Sequence, residues 1–403
     1  MTGLSRRELL LAAGGAAIAA SPLARAVAAS AASFGPAALP APAKSGLDHI
    51  VLVTMENRSF DHFLGWLPGA DGKQAGLSYT DANGVSHPTH PLAPDFQGCA
   101  YLDPDHSYDG ARIEFAGGAC DGFLRAANDV FAIGYYRQKD LPFLGKAAPD
   151  WTVCDRYFAA ILGPTFPNRL YQHTGQTDRI ENSFAESTLP TIWDRLAAKN
   201  VSAAYYYGSI SFLLLWRDKY EALGRTYAQF FDDCRTGRLP AVSYVDPVFT
   251  GTDEGTMADD HPHADIRAGE YFLNRIYHAV TTSPAWKRTL LVITFDEWGG
   301  FFDHVPPAVA PDNDPAHAQR GFRVPTLLIS PFARREHVAH GVYDHTSVLK
   351  LIEWRWGLDP LAPRDAAATN LAAALDFRNP SLAAPKYKVP AFKAGAACPP
   401  GSP

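Results

Sequence analysis

The sequence predicts an α/β protein with a mostly parallel central sheet between two layers of helices, and three observations carry that expectation. Short apolar, β-branched runs occur at 48–55, where Ile50-Val51-Leu52-Val53-Thr54 forms the centre, and again at 241–245, 290–295 and 326–330. Runs without polar alternation belong to strands buried on both faces, as in parallel sheets. Segments of helical period lie between them, at 191–199, 266–279 and 347–356, so strands and helices alternate as βαβ units require. Finally, a chain of 403 residues that is 47% hydrophobic is long enough to bury one large core.

Ahead of the first strand stands Ser5-Arg6-Arg7-Glu8-Leu9-Leu10, then an Ala/Gly/Leu stretch with small-residue sites at 24–26 and 26–28. Paired arginines before a weakly apolar run and an A-x-A site describe a twin-arginine export signal. Ser21, Pro22 and Arg25 interrupt the run before the roughly 20 apolar residues that a span needs, so no stable membrane anchor is expected. The expected organisation is a signal at 1–28, an Ala/Pro/Ser linker at 29–46, a catalytic domain at 47–360 and a tail at 361–403 that wraps the periphery or stays disordered. The twin-arginine translocation machinery is then a partner, and the destination is periplasmic or secreted. A net charge of −6, with no basic run alternating with aromatics, excludes nucleic acid as a partner. Five cysteines without C-x-x-C spacing offer no thiolate zinc site. An oxidising destination permits a Cys99–Cys120 bridge, with buried thiols as the alternative.

Chemistry gathers where the apolar runs end. The first runs into Glu56-Asn57-Arg58-Ser59-Phe60-Asp61-His62 and another into Asp296-Glu297-Trp298-Gly299-Gly300-Phe301-Phe302-Asp303-His304. Ligands of open α/β sheets bind at the carboxyl edge, and adjacent carboxylates there are costly without a cation or a hydrogen-bond network. Alternatively Asn57 or Ser59 caps a helix, and Asn57-Arg58-Ser59 fits a glycosylation sequon. Glu56, Asn57, Asp296 and Glu297 make an oxygen-dominated set suited to a divalent ion. Between them, Gly163-Pro164-Thr165-Phe166-Pro167-Asn168-Arg169 opens a helical stretch that closes at Gly175. Thr165 is expected at the N-cap, where free N–H groups suit a phosphate and a metal-held hydroxyl becomes a nucleophile. His106, His261, His304 and His345 sit beside acids in loop segments, placed to bind phosphate oxygens, protonate a leaving group or complete a metal shell.

These blocks, together with Asp260-His261-Pro262, Asp265 and Gly269-Glu270, resemble the bacterial phospholipase C and acid phosphatase phosphoesterases. That family is related in fold to alkaline phosphatase and includes the plant non-specific phospholipases C. The resemblance spans about residues 47–357 with the blocks in family order. It implies an alkaline phosphatase-like three-layer α/β/α fold and a metal-dependent phosphoric ester hydrolase. Glu56, Asn57, Asp296 and Glu297, with Thr165, would hold the ion, whose identity (Ca²⁺, Mg²⁺, Mn²⁺ or Zn²⁺) stays open. Thr165 would be the nucleophile, and His106, His261, His304 and His345 would be site histidines. Threonine where acid phosphatase members use serine points to the phospholipase branch, with phospholipid or a small phosphate ester as substrate. An acid phosphatase using the same site is the alternative, and a non-catalytic calcium-binding surface protein a third reading. Trp298 stands where many relatives are expected to carry a polar residue.

Overall fold

Strand β1 (His49–Met55) lies in the middle of an eight-stranded sheet, and from Ile50 onward it is buried, as a strand covered on both faces must be. The computed structural model describes residues 39–249, 257–392 and 397–399; the export signal and the linker up to residue 38 lie outside the described residues. In chain order, helices α1 (Phe60–Leu64), α2 (Tyr108–Phe115) and α3 (Leu144–Asp150) precede β2 (Thr152–Cys154) and α4 (Thr165–Thr174). Then come α5 (Ile192–Ala198), β3 (Ala203–Tyr207), β4 (Gly224–Thr226), α6 (Tyr227–Thr236) and β5 (Val242–Val245). The last group is α7 (Ile266–Thr281), β6 (Thr289–Phe295), β7 (Leu327–Ile329), β8 (His337–Ala339) and α8 (His345–Trp356).

The sheet order is β8-β2-β7-β6-β1-β5-β3-β4. Every pairing is parallel except those of β7, which runs antiparallel to both β6 and β2. With helices packed on this mostly parallel sheet, the fold is the α/β arrangement that the sequence predicts. The four expected strands are β1, β5, β6 and β7, and the three expected helices are α5, α7 and α8.

The tail wraps the domain. Tyr277 Oη donates to Pro385 O at 2.7 Å, the Trp286 indole N–H to Leu382 O at 3.0 Å, and Tyr387 Oη to Asp150 Oδ2 at 2.8 Å. This course brings Cys398 to Cys99, with the Cα atoms 5.4 Å apart, and the two form a disulfide. Of the two readings for Cys99 and Cys120, the bridge between them is therefore corrected and the buried thiol holds for Cys120, which like Cys154 and Cys234 is free. No helix among the described residues is long and apolar enough to cross a membrane.

Candidate active site

Three adjacent parallel strands end in acids at one edge of the sheet. Met55 is paired with Phe295, so Glu56 and Asp296 leave the sheet side by side. Val245 pairs with Val53, so Asp246 emerges next to them from β5. All three carboxylates are buried, as is Glu297. The turn after β6 is tight: Gly299 has φ +65°, a Cβ there would lie 2.3 Å from Asn57 O, and its N–H donates to Glu297 Oε2 at 2.6 Å. Asn57 is itself left-handed, at φ 58°, and its N–H donates to Asp296 Oδ1 at 3.2 Å. Full burial of Asn57 rules out the sequon as a glycan site, and the cap of α1 is Ser59.

Helix α4 points its start at this edge. Pro164 occupies the N-cap and Thr165 is the first helical residue, without a side-chain cap. The expected N-cap role of Thr165 is thus corrected, and the correction matters chemically: the hydroxyl is not bound to its own helix but donates to Glu56 Oε2 at 3.2 Å. The expected cluster of free N–H groups is reduced as well. Phe166 N–H donates to Asn182 Oδ1 at 2.8 Å, and Pro167 has none. Four residues after Thr165, on the same helical face, Arg169 reaches Glu56 Oε1 at 2.9 Å, Asp296 Oδ2 at 3.3 Å and Asp246 Oδ1 at 3.0 Å.

Two buried oxygens at this edge, Asn57 Oδ1 and Glu297 Oε1, have no partner among the described residues. The Asn57 case follows from its neighbour. His106 Nδ1 donates to Pro104 O at 2.7 Å, which leaves Nε2 to accept from Asn57 Nδ2, 3.2 Å away, and the amide oxygen is left over. An orphaned buried acceptor costs about 1–3 kcal/mol. Burial, then repulsion from Asp296, pushes Glu56 well above the usual carboxylate range against the pull of Arg169. Burial and Asp296 do the same to Glu297, and burial raises Asp246. Arg169 is held well above its ordinary value by Glu56, Asp246 and Asp296 although burial opposes it. Unpaired oxygens beside raised carboxyls fit a divalent cation, which would be held by Glu56, Asn57, Asp296, Glu297 and the Thr165 hydroxyl.

The histidines divide. His261 shares with Thr165, Glu56 and Asp259 the lining of a pocket of about 330 Å³. His106 lies beside His261, with ring centroids 5.8 Å apart, and Asp103, His106 and His261 form a trio able to hold an ion. His345 stands behind Asp296, donating from Nε2 to its carbonyl at 2.6 Å, and burial lowers its pKa. His304 is bound elsewhere: Nδ1 meets Asp61 Oδ2 at 2.5 Å and Nε2 meets Asp71 Oδ1 at 3.3 Å, while the buried Arg323 bridges Asp61 and Asp303. Burial opposes protonation of His304 and Asp61 favours it, with a net raised pKa. Trp298 is packing, its indole N–H donating to buried Glu114 at 2.8 Å. Asp246, Arg169 and Asp259 belong to the site but were not singled out from sequence as ligands or catalytic groups. Asp246 follows the apolar run 241–245, a position the strand-end argument covers equally well.

Likeness to known proteins defines the class, an enzyme that hydrolyses phosphoric esters. The chain belongs to the phosphoesterase family, which it matches over residues 47–359. It is similar to phospholipase C B of Mycobacterium tuberculosis, 31% identical over 415 residues that cover 83% of this chain and 78% of the relative. It is also similar to non-specific phospholipase C1 of Arabidopsis thaliana, at 31% identity over 79% of this chain and 69% of that one. A solved protein of the alkaline phosphatase superfamily from Vibrio parahaemolyticus matches 81% of this chain with 70% of its own, at 10% identity and a TM-score of 0.41.

Proposed function

We propose that the protein is an exported, metal-dependent phospholipase C-type phosphodiesterase with Thr165 as its nucleophile. The observation that carries this reading is the Thr165 hydroxyl, released from helix capping and 3.2 Å from Glu56 Oε2, beside the orphaned oxygens of Asn57 and Glu297. A divalent ion held there would neutralise phosphoryl charge and make the hydroxyl more acidic. Thr165 Oγ1 gives up its proton toward Glu56 and bonds to phosphorus, while the bond to the diacylglycerol oxygen breaks and that alcohol leaves with a proton from His261. Water then attacks phosphorus and gives its proton to His261, while the bond from phosphorus to Thr165 Oγ1 breaks and Oγ1 takes its proton back from Glu56; the phosphorylated head group leaves and Thr165, Glu56 and His261 are restored. His106 holds Asn57 in the orientation that leaves its oxygen free, and His345 steadies the Asp296 main chain. The relatives named phospholipase C support a diester substrate. A phosphomonoesterase would use the same residues, and comparing phosphatidylcholine with p-nitrophenyl phosphate separates the two.

Thr165→Val is expected to fold with unchanged secondary structure and to lose at least roughly 1000-fold in kcat/KM, with no phosphate trapped on the protein after acid quench. Full activity in that variant would falsify the assignment. Export is supported by the Arg6-Arg7 pattern; blocking the twin-arginine route is expected to retain the protein in the cytoplasm, and normal export under that block would overturn it.

A further inference from the structure

The pocket in front of Thr165 has two chemically unlike ends. The inner end carries Glu56, Thr165, Arg169, Asp259 and His261; the rest is walled mainly by Phe166, Phe184, Ile210, Phe212, Leu214 and Leu215, with the polar Asn182 and Ser211 among them. The wall is built, not incidental. Phe166 meets Phe184 and Phe212 edge to face, with centroids 5.0 and 5.4 Å apart, and Phe212 stacks on His173 at 5.6 Å. Ser211 accepts the Leu213 N–H and so starts the short 3₁₀ turn Phe212–Trp216 that sets Phe212 and Leu215 inward, 8% and 1% exposed. At the mouth the same surface ends in Phe184 and Leu214, 61% and 48% exposed. Large side chains left so open beside a buried apolar wall mark a place where an apolar ligand completes the surface.

A second groove of about 770 Å³, which shares Asn182 with the first, is lined by Asp103, Asp105, Asp109 and Glu181 with His106, and also by Leu102, Tyr108 and Ile180. An alkyl chain laid there would strip water from carboxylates. The phenylalanine and leucine wall is the one that adjoins Thr165, and beyond its inner end it carries no carboxylate for hydrocarbon to desolvate.

We propose that this wall is an acyl-chain subsite, which seats one fatty chain of the glycerol arm while the phosphodiester lies at Thr165. The assignment rests on the phosphodiesterase reading above and adds to it which residues select a lipid over a chainless ester. Each methylene moved from water onto such a wall is worth about fourfold in kcat/KM. Two methylenes added to the seated chain are worth roughly tenfold or more by the same count.

The test uses the metal-supplemented full chain with dibutanoyl- and dihexanoyl-phosphatidylcholine, both kept below their micellar concentrations, and p-nitrophenyl phosphocholine as the chainless ester. The wild-type chain is expected to prefer dihexanoyl over dibutanoyl lipid at least tenfold. In Phe184→Asp/Leu214→Asp, whose side chains are exposed and whose folding is checked by circular dichroism, the ratio of kcat/KM for dihexanoyl lipid to that for the chainless ester falls at least tenfold. Chain-length-independent kcat/KM in the wild type, or an unchanged ratio in the variant, overturns the subsite. A loss seen on vesicles but not on monomeric lipid makes the patch a membrane-docking face and likewise overturns it. Absence of hydrolysis of all three esters by the wild type sinks the phosphodiesterase reading and the subsite with it, whereas hydrolysis without chain preference sinks the subsite alone.

Discussion

Arg169 decides the electrostatics of the site. A guanidinium among Glu56, Asp246 and Asp296, all three buried, supplies one fixed positive charge and takes one oxygen of each carboxylate. What remains toward Thr165 is Glu56 Oε2, together with the unpartnered Asn57 Oδ1 and Glu297 Oε1. Removing one partner of a buried ion pair strands the others and typically costs about 3–5 kcal/mol. Arg169→Met is accordingly expected to lower the stability of the metal-free chain by about that much in urea unfolding. Added Mn²⁺ should then raise the melting temperature of the variant more than that of the wild type, because a cation that binds only the folded state stabilises it. An equal rise in both chains would show that Arg169 and the ion do not share these carboxylates.

The turn that follows β6 is the element that turns strand-end acids into a site. Its glycine cannot be replaced without movement: Gly299 is left-handed, and a Cβ would press on the Asn57 carbonyl at 2.3 Å. An alanine in left-handed backbone costs about 1–2 kcal/mol, and the clash adds displacement of Asn57, which lies next to Glu56, the partner of the Thr165 hydroxyl. Gly299→Ala should lose at least roughly tenfold in kcat/KM, accompanied by a stability loss of about 2 kcal/mol in thermal or urea unfolding. Helix α4 is the complementary element. Sequence places its start within one residue, but that one residue determines whether the Thr165 hydroxyl caps the helix or faces Glu56. Pro164, with no N–H and an extended backbone, takes the cap position and frees it.

Across the whole molecule, long loops and the tail are held by buried groups. Glu270 on α7 accepts the Leu144 N–H at 3.0 Å and the Phe143 N–H, closing the start of α3. Burial pushes its carboxyl up to about 8, against the pull of those two N–H groups. The unfolded chain carries the ordinary value near 4.3, so between these values the folded state binds more protons. The stability contributed by the protonated carboxyl is therefore present at acid pH and is lost as pH rises through about 8. The slope is up to roughly 1.4 kcal/mol per pH unit. With divalent ion saturating, melting temperature should fall between pH 5 and 8 in the wild type, and Glu270→Gln should flatten that fall. An identical profile in the variant would place the pH dependence elsewhere.

Much of this was legible in the chain itself. The strands β1, β5, β6 and β7 announce themselves because burial on both faces demands uninterrupted apolar residues. Glu56 and Asp296 stand out because a carboxylate at the end of such a run has no local reason to be there. The strands that escaped notice are short or aromatic: β2, β4 and β8 have three residues each, and β3 reads Ala-Ala-Tyr-Tyr-Tyr. Local pattern thus determined the class of fold, the strand ends that carry the acids and the residue that bears the hydroxyl. The tertiary structure alone decided which groups meet: that Arg169 joins three carboxylates, that His304 turns to Asp61, that Cys99 takes Cys398, and that the groove at Thr165 is mainly apolar while its neighbour carries four carboxylates. The reason is physical. Thr165 and Glu56 are 109 residues apart in the chain, and a hydrogen bond acts over about 3 Å of space, a distance that only the packing of distant segments can set.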